Sequence, residues 1–337
     1  MQKKWINYGR RIRSGPTILF YHGVMPAESK SLEPQGHHSV SEFGKQMQFL
    51  SRYHRVISLS EFNERSNAGA KFSSKEVVVT FDDGYKNNLT YAAPILKKYG
   101  VTPSLFISTK HVETGQRFPT YFARCALWYT DKDQVNIEGY DQVFDTSSME
   151  NKKNSLVRLM RFMKSTESFA VNHAVEQIKN WLPAAKWCEL ERQIPAEEIL
   201  SWREVQELAN SGWEIGSHCH DHAILHCGNN RAAIRYQLNR SLEMIIERIG
   251  YCKFFAYPNG ERGFVSGPAI EEVEKAGYAL GLSAEAGDLQ GKLNRYLLPR
   301  RLAPRKMLHF VKVLHNSVLY RKRHAEWVTK SQKKGSE

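Results

Sequence analysis

The chain has 337 residues, enough for one large domain with an insertion or for two modest domains, and its 41% hydrophobic and 11% aromatic content excludes a disordered polypeptide. A surplus of 48 Lys and Arg over 35 Asp and Glu gives a net charge of +13, which favours anionic partners: nucleic acid, acidic lipid headgroups or a phosphorylated glycan. No Rossmann glycine fingerprint, zinc-finger ladder or aromatic RNA-binding signature is present, which sets nucleic acid aside, and five cysteines without a Cys-x-x-Cys pair fit a reducing compartment better than a disulfide framework.

The chain opens with the basic stretch MQKKWINYGRRIRSGPTILFYHGV, whose apolar run from Thr17 to Tyr21 is too short for a signal-peptide core. No later window reaches the roughly 20 apolar residues of a membrane helix. The expectation is a soluble, cytoplasmic protein. Short β-rich runs then recur at 17–22, 55–59, 77–81, 104–108, 213–218, 253–257 and 278–282. Helical patterns lie between most of them. SEFGKQMQFLSRY places Phe43, Met47 and Leu50 on one face, and further helices end at Gly100, Gly212 and Gly250. Continuously apolar strands alternating with helices indicate parallel strands covered on both faces, as in a β/α barrel or a doubly wound sheet.

Residues 111–198 interrupt this rhythm. They are helix-rich and poor in strand candidates, and read as an insertion between two strands that serves as a lid or substrate wall. The tail at 306–337 combines Leu308, Val311, Leu314, Val318 and Leu319 with many cations. Two readings stand for it: a helix packed on the barrel, or a basic face resting on a membrane.

Two clusters carry chemistry. Asp82, Asp83 and Gly84 follow the apolar run Val77–Phe81, where the C-terminal end of a parallel strand opens onto active-site loops. One carboxylate there can bind a metal while its neighbour faces a reacting water; a solvated turn with Asp as a helix N-cap is the competing account. The second cluster, EIGSHCHDHAILH at 214–226, spaces His218 and His222 four apart, so that in a helical turn their rings share one side and one ion. Cys219 and Cys227 have the chemistry to join a closed structural zinc site, but the separate Asp pair favours an open one. A zinc protease of the His-Glu-x-x-His type is disfavoured, because Cys219 stands where the glutamate base belongs.

TFDDGY, GSHCHDH and FAYPNG (255–260), with ILFYHGV and LLPRRLAP, resemble the motifs of the polysaccharide deacetylases of carbohydrate esterase family 4, over about Thr17 to Pro304. The resemblance implies a distorted (β/α) barrel of about seven parallel strands over 14–305, and metal-dependent removal of acetyl groups, most often from N-acetylglucosamine. It makes Asp83, His218 and His222 the metal ligands and Asp82 the general base. A backbone N–H at Asn259, in the loop with Pro258 and Gly260, would meet the oxyanion. The late segment lacks the family's acid histidine, and FYHGV resembles a permuted branch seen in poly-N-acetylglucosamine deacetylases, so His22 is assigned as general acid; a core histidine at a strand end is the other reading. Ala256 stands where the third motif has arginine. Arg300 either orients Asp82 in its place or is a surface cation. His220 and His226 have no family role, and Trp202 and Trp213 read as core.

The expected function is therefore N-deacetylation of an N-acetylglucosamine-like sugar in a bacterial cell-surface glycan or its lipid-linked precursor. The expected cofactor is a divalent metal, zinc first, with cobalt or nickel fitting the same ligands. The basic surface suggests peripheral contact with the anionic inner face of the cytoplasmic membrane. O-acetyl ester hydrolysis and a non-catalytic glycan-binding protein on the same fold are the rival readings.

Overall fold

The computed structural model describes residues 15–315 except 33–35, 141, 167, 227, 290 and 292. Its central sheet has eight strands, seven of them in one continuous path: β1 (Thr17–Tyr21), β2 (Glu76–Phe81), β3 (Ser104–Ile107), β4 (Glu214–Ser217), β5 (Phe254–Ala256), β6 (Leu280–Leu282) and β7 (Arg301–Leu302). Their order is β6-β5-β4-β3-β2-β1-β7, and every pairing is parallel. A bridge from Leu298 to Leu282 ties the approach to β7 to the opposite edge, so the sheet curls into the expected distorted (β/α) barrel.

Why the chain builds this sheet is visible in β1 and β2. All 11 of their residues are buried, as parallel strands covered on both faces require. Their pairing runs from Thr17 opposite Val77 to Tyr21 opposite Phe81, so His22 and Asp82 leave neighbouring strands at the same level. The covering helix Val40–Tyr53 starts with a capping box: Glu42 N–H donates to Ser39 Oγ, and Ser39 N–H donates to Glu42 Oε2. It buries Phe43, Met47 and Leu50, the predicted face.

The seventh barrel strand is Arg301–Leu302, not the run at 55–59. From that run only Arg55–Val56 is extended, and it pairs beside the start of β2. Between β3 and β4 lie the helices Pro119–Tyr129, Met149–Ser165, Ser168–Lys179 and Ala184–Gln193, together with an unexpected antiparallel hairpin of Gln134–Asn136 and Val143–Asp145. They pack on a core of their own, with Leu127, Phe144, Leu159 and Ile178 fully buried. Helix Met307–His315 packs on the barrel through Phe310, Val313 and Leu314, while Leu308 is 46% exposed. The buried stripe is thus rotated from the one expected, and Val318 and Leu319 lie outside the described residues. Among the described residues no helix is long and apolar enough to cross a membrane.

Candidate active site

The C-terminal ends of β1, β2, β4 and β5 meet at one rim. Asp82 N–H donates to Tyr21 O at 2.9 Å, and Gly84 N–H closes a turn onto Asp82 O at 3.0 Å, with Gly84 at φ 84°. That turn sends the two carboxylates in different directions. Asp83 meets the histidines: His222 Nε2 lies 3.2 Å and His218 Nε2 3.6 Å from its Oδ1. Metal bonds of about 2.1 Å at tetrahedral angles put ligand atoms roughly 3.4 Å apart, so the set has the right scale for one ion. All three ligand atoms lie within 4.8 Å of one another.

His218 Nδ1 donates to Ala256 O at 2.7 Å, which fixes the tautomer and leaves the Nε2 lone pair facing Asp83. Burial pushes His218 down to about 4, so at neutral pH the ring is an uncharged ligand. The two histidines converge differently from expectation. Residues 218–222 form no helix; the chain turns through Cys219 at φ 64° and His222 at φ 59°. Cys219 is fully buried, its thiol pushed up by that burial, and it is not among the clustered ligand atoms. Cys227 lies outside the described residues.

Asp82 turns inward to Arg300. The guanidinium grips it with two hydrogen bonds, Nη1 to Oδ1 and Nη2 to Oδ2, both 2.7 Å. Arg300 is 0% exposed, not a surface cation: it lies against the rings of Phe20 and Phe106, and its Nε and Nη1 also donate to Ser283 O and Thr80 Oγ1. Burial alone would raise the Asp82 carboxyl, but Arg300, with His218 and His22, outweighs it and holds the group below the usual carboxylate range. Burial likewise opposes the charge on Asp83, and the hydrogen bond from His222 with the nearby imidazoles holds that carboxyl well below its ordinary value.

His22 extends from β1 beside these carboxylates, near enough to act electrostatically on both. Its Nδ1 is buried without a hydrogen-bond partner. Gly23 follows because a Cβ there would stand 2.1 Å from His37 Nδ1. In the loop after β5, Asn259 adopts φ 60° and its backbone N–H makes no hydrogen bond among the described residues. Gly260 cannot offer the same: its N–H donates to Pro258 O at 2.7 Å, and Pro258 has no N–H. Of the three residues assigned to this loop's anion site, Asn259 alone has a free backbone donor.

Other residues take structural places. Trp213 is buried, His220 meets Thr109 Oγ1 at 2.9 Å, and His226 Nδ1 accepts from Gly228 N–H. Sequence reading missed His111 and Phe118. His111 is 5% exposed, its ring centroid 4.3 Å from Phe118, and Phe118 lies 4.9 Å from His222. Their signal was position: His111 follows β3 on the same rim as His218 follows β4.

A parallel barrel with paired carboxylates and converging imidazoles at its C-terminal rim has the architecture of a (β/α)-barrel enzyme. The family model for polysaccharide deacetylase matches residues 69–281, and the chain belongs to that family. His22 and Arg300 fall outside the matched span. YxkH of Bacillus subtilis, a curated relative carrying the same family name, is 31% identical over 96 residues; these are 28% of this chain and 32% of that protein, so the alignment spans about a third of the relative. Three solved structures share the fold: the deacetylase PplD of Streptococcus pyogenes (TM-score 0.58, 15% identity, 90% of this chain and 100% of that one), IcaB of Ammonifex degensii (0.55, 17%, 89% and 96%) and a de-N-acetylase of Aggregatibacter actinomycetemcomitans (0.53, 15%, 89% and 99%).

Proposed function

We propose that the protein is a metal-dependent N-deacetylase of an N-acetylglucosamine-like sugar in a bacterial cell-surface glycan or its lipid-linked precursor. The observation that carries the reading is the division of the carboxylate pair: Asp83 faces two imidazoles, while Asp82 is gripped by a buried guanidinium. A binding module has no need for that division. The description of one fold relative as a de-N-acetylase points to the amide, and the +13 charge suits a substrate near phosphates.

Asp83, His218 and His222 would hold a divalent cation, with zinc, cobalt and nickel all matching one carboxylate and two imidazoles. Such an ion supplies Lewis acidity that polarises an acetyl carbonyl and lowers the pKa of water. The chain's own groups do the rest. Asp82, oriented by Arg300 yet keeping a second lone pair on each oxygen, accepts the proton of the attacking water. The Asn259 N–H meets the oxyanion that develops on the acetyl oxygen. His22 delivers a proton to the departing amine as the C–N bond breaks, leaving acetate and an amino sugar.

The test is acetate release from N-acetylglucosamine oligomers by wild type, Asp82→Ala and His22→Ala, with and without zinc. Asp82→Ala is expected to lose turnover by at least about a thousandfold while retaining zinc, and His22→Ala by about a hundredfold. Zinc-independent release, or full activity in Asp82→Ala, would overturn the reading. Release from O-acetylated xylan alone would replace the amide with an ester.

A further inference from the structure

Beside the metal ligands, but lined by none of them, is a cleft of about 260 Å³ between the stretch Lys110–Pro119 and the helix Ser168–Lys179. Its wall nearest the site is His111, whose ring packs on Phe118 and through it on His222. Its floor includes Pro119 and Phe122, an apolar surface over which the Lys179 ammonium lies 4.9 Å from the Phe122 ring centroid.

The polar groups of this cleft are unbalanced. Lys179 is paired with Glu176 at 2.8 Å, which cancels those two charges. Lys110 has no carboxylate within ion-pair distance among the described residues. Arg117 turns its guanidinium away from the cleft, over the Tyr121 ring and onto the backbone carbonyls of Ile194 and Glu191. Lys110 is therefore the cation of this cleft without a counter-charge among the described residues.

His111 adds a directional group. Ser108 Oγ lies 2.8 Å from His111 Nδ1 and 3.0 Å from His220 O, which fixes the orientation of the imidazole. Burial keeps that ring uncharged. Its Nε2 has no hydrogen-bond partner among the described residues, on a ring that lines the cleft. An imidazole nitrogen that can meet a hydroxyl, an apolar floor and an uncompensated lysine together describe a sugar that carries an anion.

We propose that this cleft is a subsite for an anionic unit of the glycan, a uronic-acid carboxylate or a phosphodiester, next to the residue being deacetylated. The proposal rests on the deacetylase reading and names the substrate class that reading leaves open. It also gives the chain between β3 and β4 a task, since Asn172 and Lys179 form the far wall.

The experiment compares three substrates of equal length: a neutral N-acetylglucosamine oligomer, one alternating with glucuronic acid, and one linked through phosphodiesters. The enzymes are zinc-loaded wild type, Lys110→Ala and Lys110→Arg. Wild type should prefer one acidic oligomer over the neutral one by about tenfold in kcat/KM, carried by KM and weakened by added salt. Lys110→Ala should erase that ratio, Lys110→Arg should largely restore it, and the preferred oligomer tells carboxylate from phosphate. Equal kcat/KM for all three, or a preference that survives Lys110→Ala, overturns the subsite. Absence of acetate from every substrate would sink the deacetylase reading instead. Calorimetric titration then decides the subsite: acidic-oligomer binding that Lys110→Ala weakens about tenfold sustains it, and binding that is absent or indifferent to Lys110 ends it.

Discussion

The rim of the barrel and the helical region between β3 and β4 use their residues in opposite ways. The rim holds every described non-glycine residue with positive φ, namely Asp83, Cys219, His222 and Asn259, and it holds the buried charges Asp82 and Arg300. The described helical region has no such positive-φ residue, and its one buried carboxylate among the described residues, Glu197, sits at its end against Ser31 and His37. Its helices close on an apolar core of Leu127, Phe144, Leu159 and Ile178, and its Met149–Ser165 helix is capped conventionally by Ser148. Strained backbone and buried charge persist only where the surroundings over-determine them, and at this rim seven paired strands supply that constraint.

The sharpest way to break the contrast is to remove the guanidinium that the rim buries. Arg300→Leu leaves the Asp82 carboxylate buried without its partner, and stability is expected to fall by about 3–5 kcal/mol in denaturant unfolding. The Asp82 carboxyl should also rise, shifting the acid limb of the pH–rate profile upward. A variant with unchanged stability would mean that water replaces Arg300 and that the rim is less constrained than its geometry implies.

On the other side of the comparison, Leu159→Ala opens a cavity in the helical core, with an expected loss of about 2–5 kcal/mol. Zinc binding in the folded variant should be retained, because no metal ligand lies in that region. Loss of zinc affinity in step with stability would show that the two regions behave mechanically as one.

The sequence carried this contrast unevenly. Six of the barrel strands were legible because fully buried parallel strands read as short apolar runs, and the carboxylate pair Asp82–Asp83 was legible because it ends the most apolar of them. Arg301–Leu302 was not, since two residues, one of them a buried arginine held by Gly287 O and Asp288, carry no strand pattern. His218 and His222 were found by a spacing that suggested a helix, yet they converge through two left-handed residues, a conformation no side-chain pattern announces. The hairpin at 134–145 escaped because its three-residue strands alternate too briefly to show a period. Arg300 could be named but not oriented: what buries it are Phe20, Phe106 and Ser283, all distant in sequence.

A smaller effect separates the regions by pH. His38, behind the rim, is 2% exposed, and burial pushes it down to about 4. Glu42 and the Pro304 backbone oppose that shift, while Arg305 and His22 reinforce it. As pH falls, the unfolded chain takes up this proton near the ordinary value of 6.5, before the folded one does. Stability is therefore full above about 6.5 and declines toward pH 4, by about 3 kcal/mol at most from this group. His38→Phe should flatten that stretch of the stability profile measured by denaturant titration. An equally steep decline in the variant would assign the acid sensitivity to other groups.

The smallest predicted effect bears most directly on whether the rim's strain serves chemistry. Asn259 holds φ 60° and buries an Nδ2 that meets no partner. Asn259→Gly removes both costs, at the expense of added freedom in the unfolded chain worth about 0.5–1 kcal/mol, so a net gain of about 1 kcal/mol is expected in thermal or denaturant unfolding. The backbone N–H remains, but the stiffness that aims it does not, and acetate release should fall several-fold with KM little changed. Stability rising while kcat falls is the signature of a residue kept in an unfavourable state for its work. If both rise together, the left-handed turn at Asn259 is a folding compromise, and the oxyanion donor must be sought elsewhere on the rim.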